Sequence, residues 1–152
     1  MLRDGAFDGL CRELFGEFPK LPPSIVVAGR AWGEYADAER AFVEHGEDWD
    51  CRYLLTNRFS VGFVNDDAYR FLLPRLVNCS LRPEGLDADI LDALISSLAG
   101  RVADFDRLFS PKQEHVLLRA LQHLSGVVKE TVGDRGPLLA SMDRVTAALR
   151  RR

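Results

Sequence analysis

Acid-base and metal chemistry near neutral pH runs mostly through histidine, and this sequence holds three: His45, His115 and His123. His115 and His123 fall eight residues apart on one predicted helix. That spacing means about 80° of rotation and roughly 12 Å of rise, so they cannot share a metal ion. His115, beside Glu114 and Arg119, reads as an exposed helical edge. His45 stands among Glu44, Glu47 and Asp48, a setting that raises an imidazole pKa or holds a cation weakly. A solvated loop is the simpler account of it. Nucleophilic catalysis needs a serine or cysteine on a strained, glycine-flanked turn with a base in reach, and Ser60 near Gly62 and Ser125 before Gly126 lack the full pattern. No phosphate-binding GxxxxGK[ST] loop, GxGxxG turn, HExxH pair or calcium loop is present. No catalytic residue, no metal and no cofactor is therefore assigned. If an enzyme resides here, hydrolase-like or metal-assisted, His45, Asp48 and Asp50 are its best site.

The cysteines Cys11, Cys51 and Cys79 are odd in number, 40 and 28 residues apart, and show no C-x-x-C spacing. They predict three small buried thiols rather than a disulfide framework or zinc site.

The clearest asymmetry is acidic. Between Ala31 and Asp50, the seven carboxylates Glu34, Asp37, Glu39, Glu44, Glu47, Asp48 and Asp50 face Arg40 alone, a net of −6 that leaves +3 for the rest of a chain totalling −3. Trp32, Tyr35, Phe42 and Trp49 interleave with them. Carboxylates that steer a basic partner, beside aromatics that anchor it, are a common interface design. Glu34, Asp37, Glu44, Glu47, Asp48 and Trp49 are the expected binding residues, and the expected function is a protein-binding or accessory, immunity-like module with a basic protein partner. The plainer alternative is a helix with aromatics toward the core and acids toward water. A structural homodimer is a third class.

Those residues need a scaffold, and the composition supplies one. With 152 residues, 47% hydrophobic and 28% charged, the chain has the profile of one soluble globular domain. A chain of this length buries roughly 68 to 70% of its unfolded surface, enough for a core without staples. The small net charge disfavours general nucleic-acid binding. The longest-looking apolar run, Phe71 to Val77, is broken by Pro74 and Arg75, so no membrane span is predicted. Met1 to Phe18 carries Arg3, Asp4, Asp8, Arg12, Glu13 and Glu17, unlike an export signal. A cytoplasmic protein, monomeric or homodimeric, is expected.

The predicted fold class is mainly α, a single-domain bundle of six or seven helices over residues 1–152 with one short strand or hairpin near residues 59–64. Phe7, Leu10, Cys11, Leu14 and Phe15 line one helical face from Arg3 to Phe15. Pro19, Pro22 and Pro23 end it, and Ser24 is a plausible N-cap for a second helix through Ile25, Val26, Ala28, Trp32 and Tyr35, although Ile25 to Val27 alone reads equally as a short buried strand. A short helix over Trp49 to Thr56 precedes Phe59 to Val64, where Val61 and Phe63 alternate with smaller residues. Asn65 or Asp66 caps a helix over Asp67 to Val77, in which Pro74 predicts a kink or break near Leu73. Asp87 caps a helix through Ile90, Leu91, Leu94, Ile95 and Leu98 that Gly100 ends. Ser110, Pro111 and Gln113 form a capping-box signature opening a long helix to Val132. Leu138, Met142, Val145 and Leu149 mark a last helix that packs on its own domain, since barely two heptads fit. Arg150, Arg151 and Arg152 complement its dipole.

The stretch F-V-N-D-D-A-Y-R-F-L-L-P-R-L, Phe63 to Leu76, resembles a family of small bacterial proteins without an assigned activity, in which an aromatic helix runs into a Leu-Pro step. Trp49 and the F-S-P-K-Q of Phe109 to Gln113, opening a helix with Leu117, Leu121 and Leu124, fit the same pattern across roughly Ile25 to Leu124. The resemblance implies a bacterial, helical domain and transfers no catalytic residue. The step from Tyr69 to Pro74 is either a structural kink or the rim of a groove.

Overall fold

The computed structural model describes residues 3–20, 50–132 and 136–150. The first helix, α1 (Gly5–Glu17), begins where the Asp4 carboxylate accepts the Phe7 N–H, which satisfies one of the orphan donors of a helix start. It buries Phe7, Leu10, Cys11 and Leu14. A short α2 (Cys51–Thr56), capped by Asp50, leads into a 3₁₀ helix, η1 (Arg58–Phe63). Then come α3 (Asp66–Ser80), a two-stranded antiparallel hairpin of β1 (Leu81–Arg82) and β2 (Gly85–Leu86), and α4 (Ala88–Ala99). A one-turn η2 (Val102–Asp104) and α5 (Phe105–Leu108) connect to α6 (Pro111–Val132) and α7 (Gly136–Arg150).

The five long helices close a ring of contacts in which α1 packs on α6, α6 on α7, α7 on α4, α4 on α3, and α3 back on α1. This is the expected mainly α bundle. Helix α3 is its most buried member, with Ala68, Tyr69, Phe71, Leu72, Leu73, Pro74, Leu76, Val77, Cys79 and Ser80 all inside. Each such large apolar side chain contributes roughly 1.5 to 3 kcal/mol by leaving water. Leu138, Met142, Val145 and Leu149 of α7 are likewise buried within the chain, so this helix is spent on its own core rather than on a coiled coil.

Two local expectations are corrected. Of the kink or break predicted near Leu73, the break does not occur: α3 continues through Pro74 to Ser80 with the proline buried. The extended stretch predicted at residues 59–64 is η1, with Val64 alone in a bridge. A 3₁₀ turn brings residues three apart onto one side, which carries Val61 and Val64 into the core together. The hairpin lies instead at Leu81 to Leu86, around Gly85, whose φ of 149° favours glycine.

The capping box forms as its spacing predicts. Ser110 N–H donates to Gln113 Oε1 at 2.9 Å, and Gln113 N–H donates to Ser110 Oγ at 3.1 Å. The same glutamine reaches across the bundle, where its Nε2 donates to the Glu17 carbonyl at 2.8 Å and so satisfies the end of α1. Ser110→Ala is expected to cost about 1 kcal/mol. Gln113→Ala is expected to cost more, because a second helix end loses its donor as well. Urea denaturation of the two variants checks the order, and an equal or reversed order would show that the Glu17 contact contributes nothing.

Candidate functional site

An open groove runs between η1 and α4. One end, a cleft of about 300 Å³, is lined by Arg58, Phe59 and Gly62 on one wall and by Asp89, Asp92 and Ser96 on the other. Phe59 is 77% exposed and is the one exposed large apolar side chain among the described residues. The Arg58 guanidinium sits 4.5 Å from its ring centroid and donates to the Leu55 carbonyl at 2.8 Å, so this cation is engaged at the end of α2. Asp89 and Asp92, three apart on the first turns of α4, are exposed and form no ion pair among the described residues. Asp89, in the first turn, is favoured by the helix dipole, and their i, i+3 spacing puts the two side by side facing the cleft.

The groove continues, through Gly62, Ser96 and Ser97, into a second hollow of about 480 Å³ that reaches Asn65, Asp66, Arg101 and Asp104. Here Arg101 acts as a pin. Its guanidinium pairs with Asp66 at 3.1 Å, donates to the Val64 and Gly62 carbonyls at 3.0 and 3.2 Å, and lies 4.1 Å from the Tyr69 ring centroid. It thus ties the end of η1 to α3 from the α4 side. Arg107 also bonds Asp66 and holds its carboxyl below the usual carboxylate range, with Arg101 and Arg70 adding to the effect. Beneath the floor, Tyr69 is fully buried, and burial pushes its phenol well above the ordinary value. The Ser97 hydroxyl donates to the Leu94 carbonyl at 2.9 Å, so the Tyr69 hydroxyl donates to Ser97 at 2.7 Å. The floor is therefore a satisfied structural network rather than a reactive group.

The wall bearing Phe59 is positioned by α2, and α2 is held covalently. Cys51 and Cys79 form a disulfide with their Cα atoms 5.4 Å apart, joining the first residue of α2 to the last turn of α3. The expectation of three thiols is corrected. Only Cys11 stays a buried thiol, pushed up to about 11 by its burial.

Of the residues predicted to bind or react, Glu34, Asp37, His45, Glu44, Glu47, Asp48 and Trp49 lie outside the described residues, as does the helix predicted from Ser24. Asp50, the last member of the acidic segment, caps α2 by accepting the Tyr53 N–H at 2.8 Å. His115 is exposed, as predicted, but its neighbour Glu114 is only 3% exposed, and burial raises its carboxyl pKa. His123 packs its ring 5.2 Å from Phe7. Among the described residues, no three His, Cys, Asp or Glu side chains gather to hold a metal ion, and no helix is long and apolar enough to cross a membrane. The groove escapes sequence reasoning because Phe59 and Phe63 carry the same signal, although one faces water and the other is half-buried. No protein-family model matches the chain, and neither a curated protein nor a solved structure is similar to it.

Proposed function

We propose that this protein is a protein-binding module that takes a basic segment of a partner in the groove between η1 and α4. The observation that carries this is the placing of one solvent-exposed aromatic, Phe59, in the same cleft as two carboxylates, Asp89 and Asp92, that form no ion pair among the described residues, while the Arg58 guanidinium that also lines the cleft is engaged by the Leu55 carbonyl and the Phe59 ring. An aromatic anchor beside unneutralised charge of one sign suits a lysine- or arginine-bearing ligand, with the ring supplying contact area and the carboxylates steering and register. The acidic segment from Ala31 to Asp50 belongs to the same assignment, since its end, Asp50, opens the helix that leads to Arg58 and Phe59. Glu34, Asp37, Glu44, Glu47, Asp48 and Trp49 are the further residues assigned to the basic partner. A homodimer is less favoured, because among the described residues a single exposed phenylalanine does not make the broad apolar patch such an interface buries. The setting we infer is cytoplasmic.

Titration with a lysine-rich peptide carrying one aromatic residue, followed by amide NMR, is expected to shift resonances at residues 58–62 and 89–97. Phe59→Ala and the double change Asp89→Lys, Asp92→Lys are each expected to weaken binding at least about tenfold, or about 1.4 kcal/mol, with little change in stability, because all three side chains are exposed. Changing Glu44, Glu47 and Asp48 to Lys separates the acidic segment's share from that of the groove. Unchanged affinity in both charge reversals, or a glutamate-rich peptide binding equally well, would sink the assignment.

A further inference from the structure

We propose that the Cys51–Cys79 disulfide is a reversible redox latch on the groove, fixing its Phe59 wall when oxidised and releasing it when reduced; this rests on the groove being the binding site. The bond joins unequal partners. Cys79 is 2% exposed in the most buried helix of the bundle, whereas half-exposed Cys51 begins a six-residue helix whose one buried residue is Leu54. A helix of six residues does not hold its own conformation in water, so its place on α3 and α4 depends on Leu54, on partly buried Tyr53 and Leu55, and on the disulfide. The ring of five long helices closes without it. Opening the bond therefore acts first at one edge of the ring of helices described here, where α2 sits.

That edge is the wall of the groove. The Tyr53 carbonyl accepts the Asn57 N–H at 3.1 Å and its side-chain amide at 3.0 Å, and the Leu55 carbonyl accepts the Arg58 guanidinium at 2.8 Å. Arg58 in turn covers the Phe59 ring. Movement of α2 is passed along the chain to the aromatic anchor, while Arg101 still pins Gly62 and Val64 at the far end. A cytoplasmic setting fits such a device, since disulfides in reducing compartments are mostly transient and redox-sensing.

The chemistry balances as thiol–disulfide exchange with a dithiol. One thiolate of the reductant attacks the Cys51 sulfur, the S–S bond breaks, and Cys79 leaves as a thiolate that takes a proton. The second thiolate of the reductant then closes on its own sulfur in the mixed disulfide and releases Cys51, so two electrons enter the protein and the reductant departs as a cyclic disulfide. A small-molecule disulfide runs the sequence backwards. Cys11, buried and protonated, stands aside.

Hydrogen–deuterium exchange on the full chain, with and without dithiothreitol, tests the latch independently of any partner. Reduction is expected to raise exchange in residues 51–63 far more than in α3, α4 and α6, whose amides speed up only as the lower global stability dictates, and to weaken the lysine-rich peptide at least about tenfold, reversibly on reoxidation with oxidised dithiothreitol. The Cys51→Ala, Cys79→Ala pair should behave as the reduced protein. Should that variant fail to fold, the reduced native chain gives the same readout. Unchanged exchange in 51–63, an equal rise in exchange in 51–63 and throughout the bundle, or equal peptide affinity in both states would each overturn the latch. Loosening of 51–63 with no peptide binding in either state would instead overturn the groove as the binding site and, with it, the latch's role there.

Discussion

Reduction of Cys51–Cys79 is expected to lower the unfolding free energy by about 3 to 4 kcal/mol, the loop-closure value for a cross-link spanning 28 residues. For a domain of this size that corresponds to a fall in Tm of roughly 7 to 14 °C. The protein should remain folded at room temperature, because such domains typically hold about 5 to 15 kcal/mol and the buried faces of α1, α3, α4, α6 and α7 are untouched by the change. Calorimetry with and without dithiothreitol checks it. A Tm that does not move would mean that the unfolded chain gains nothing from the lost cross-link. The latch concerns native-state mobility and the Tm concerns the whole chain, so the two measurements can disagree and still be informative.

The disulfide also marks where sequence reasoning stopped. Periodicity placed the helices because the pattern is local: Leu117, Leu121, Leu124 and Val128 return to one side of α6 whatever else the chain does. Caps were legible for the same reason, as Ser110 with Gln113 and Asp87 with the Ile90 N–H show. Pairing of Cys51 with Cys79 depends on how α2 meets the end of α3, a tertiary fact that their spacing does not encode. Glu114 illustrates the same limit. It neighbours exposed His115 on the helix, yet its side of α6 is covered, and a charged residue type alone suggested water. The groove was hidden because an aromatic reads the same at an interface and in a core, and the acidic segment drew attention to residues before Asp50. The proposed groove repeats the chemistry expected of the acidic segment, carboxylates beside an aromatic, but in other residues, Phe59, Asp89 and Asp92, which only the fold brings together.

Replacing the pin is expected to have the other large effect. Arg101→Ala should cost about 3 kcal/mol, because its mostly buried guanidinium satisfies the Val64 and Gly62 carbonyls and Asp66, and each loses a charged donor at once. Arg101→Lys should recover only part of this, since an ammonium cannot present the planar fork that meets a carboxylate and two carbonyls together. Arg107→Ala isolates the electrostatic half. Arg107 is exposed and solvent screens the pair, so its loss should lower stability at neutral pH only by the small amount it contributes through Asp66. Because it is the largest cause of the lowered Asp66 pKa, that amount is the part no longer lost on acidification. A carboxylate whose folded pKa is depressed contributes stability that is complete above its unfolded value, near 3.8, and is lost as pH falls through the lower folded one. Arg107→Ala should therefore flatten the decline in stability below about pH 4, while Arg101→Ala lowers the whole profile. Urea denaturation of the wild type and both variants across pH 2 to 7 separates the two arginines, and a parallel displacement for Arg107→Ala would show that Asp66 is not its carboxylate. Because the pin fixes the end of η1 opposite the disulfide, Arg101→Ala should also raise exchange at residues 58–64 in the oxidised protein. The two ends of the groove wall would then loosen by separate causes, one covalent and one electrostatic, and combining reduction with Arg101→Ala should release the whole wall.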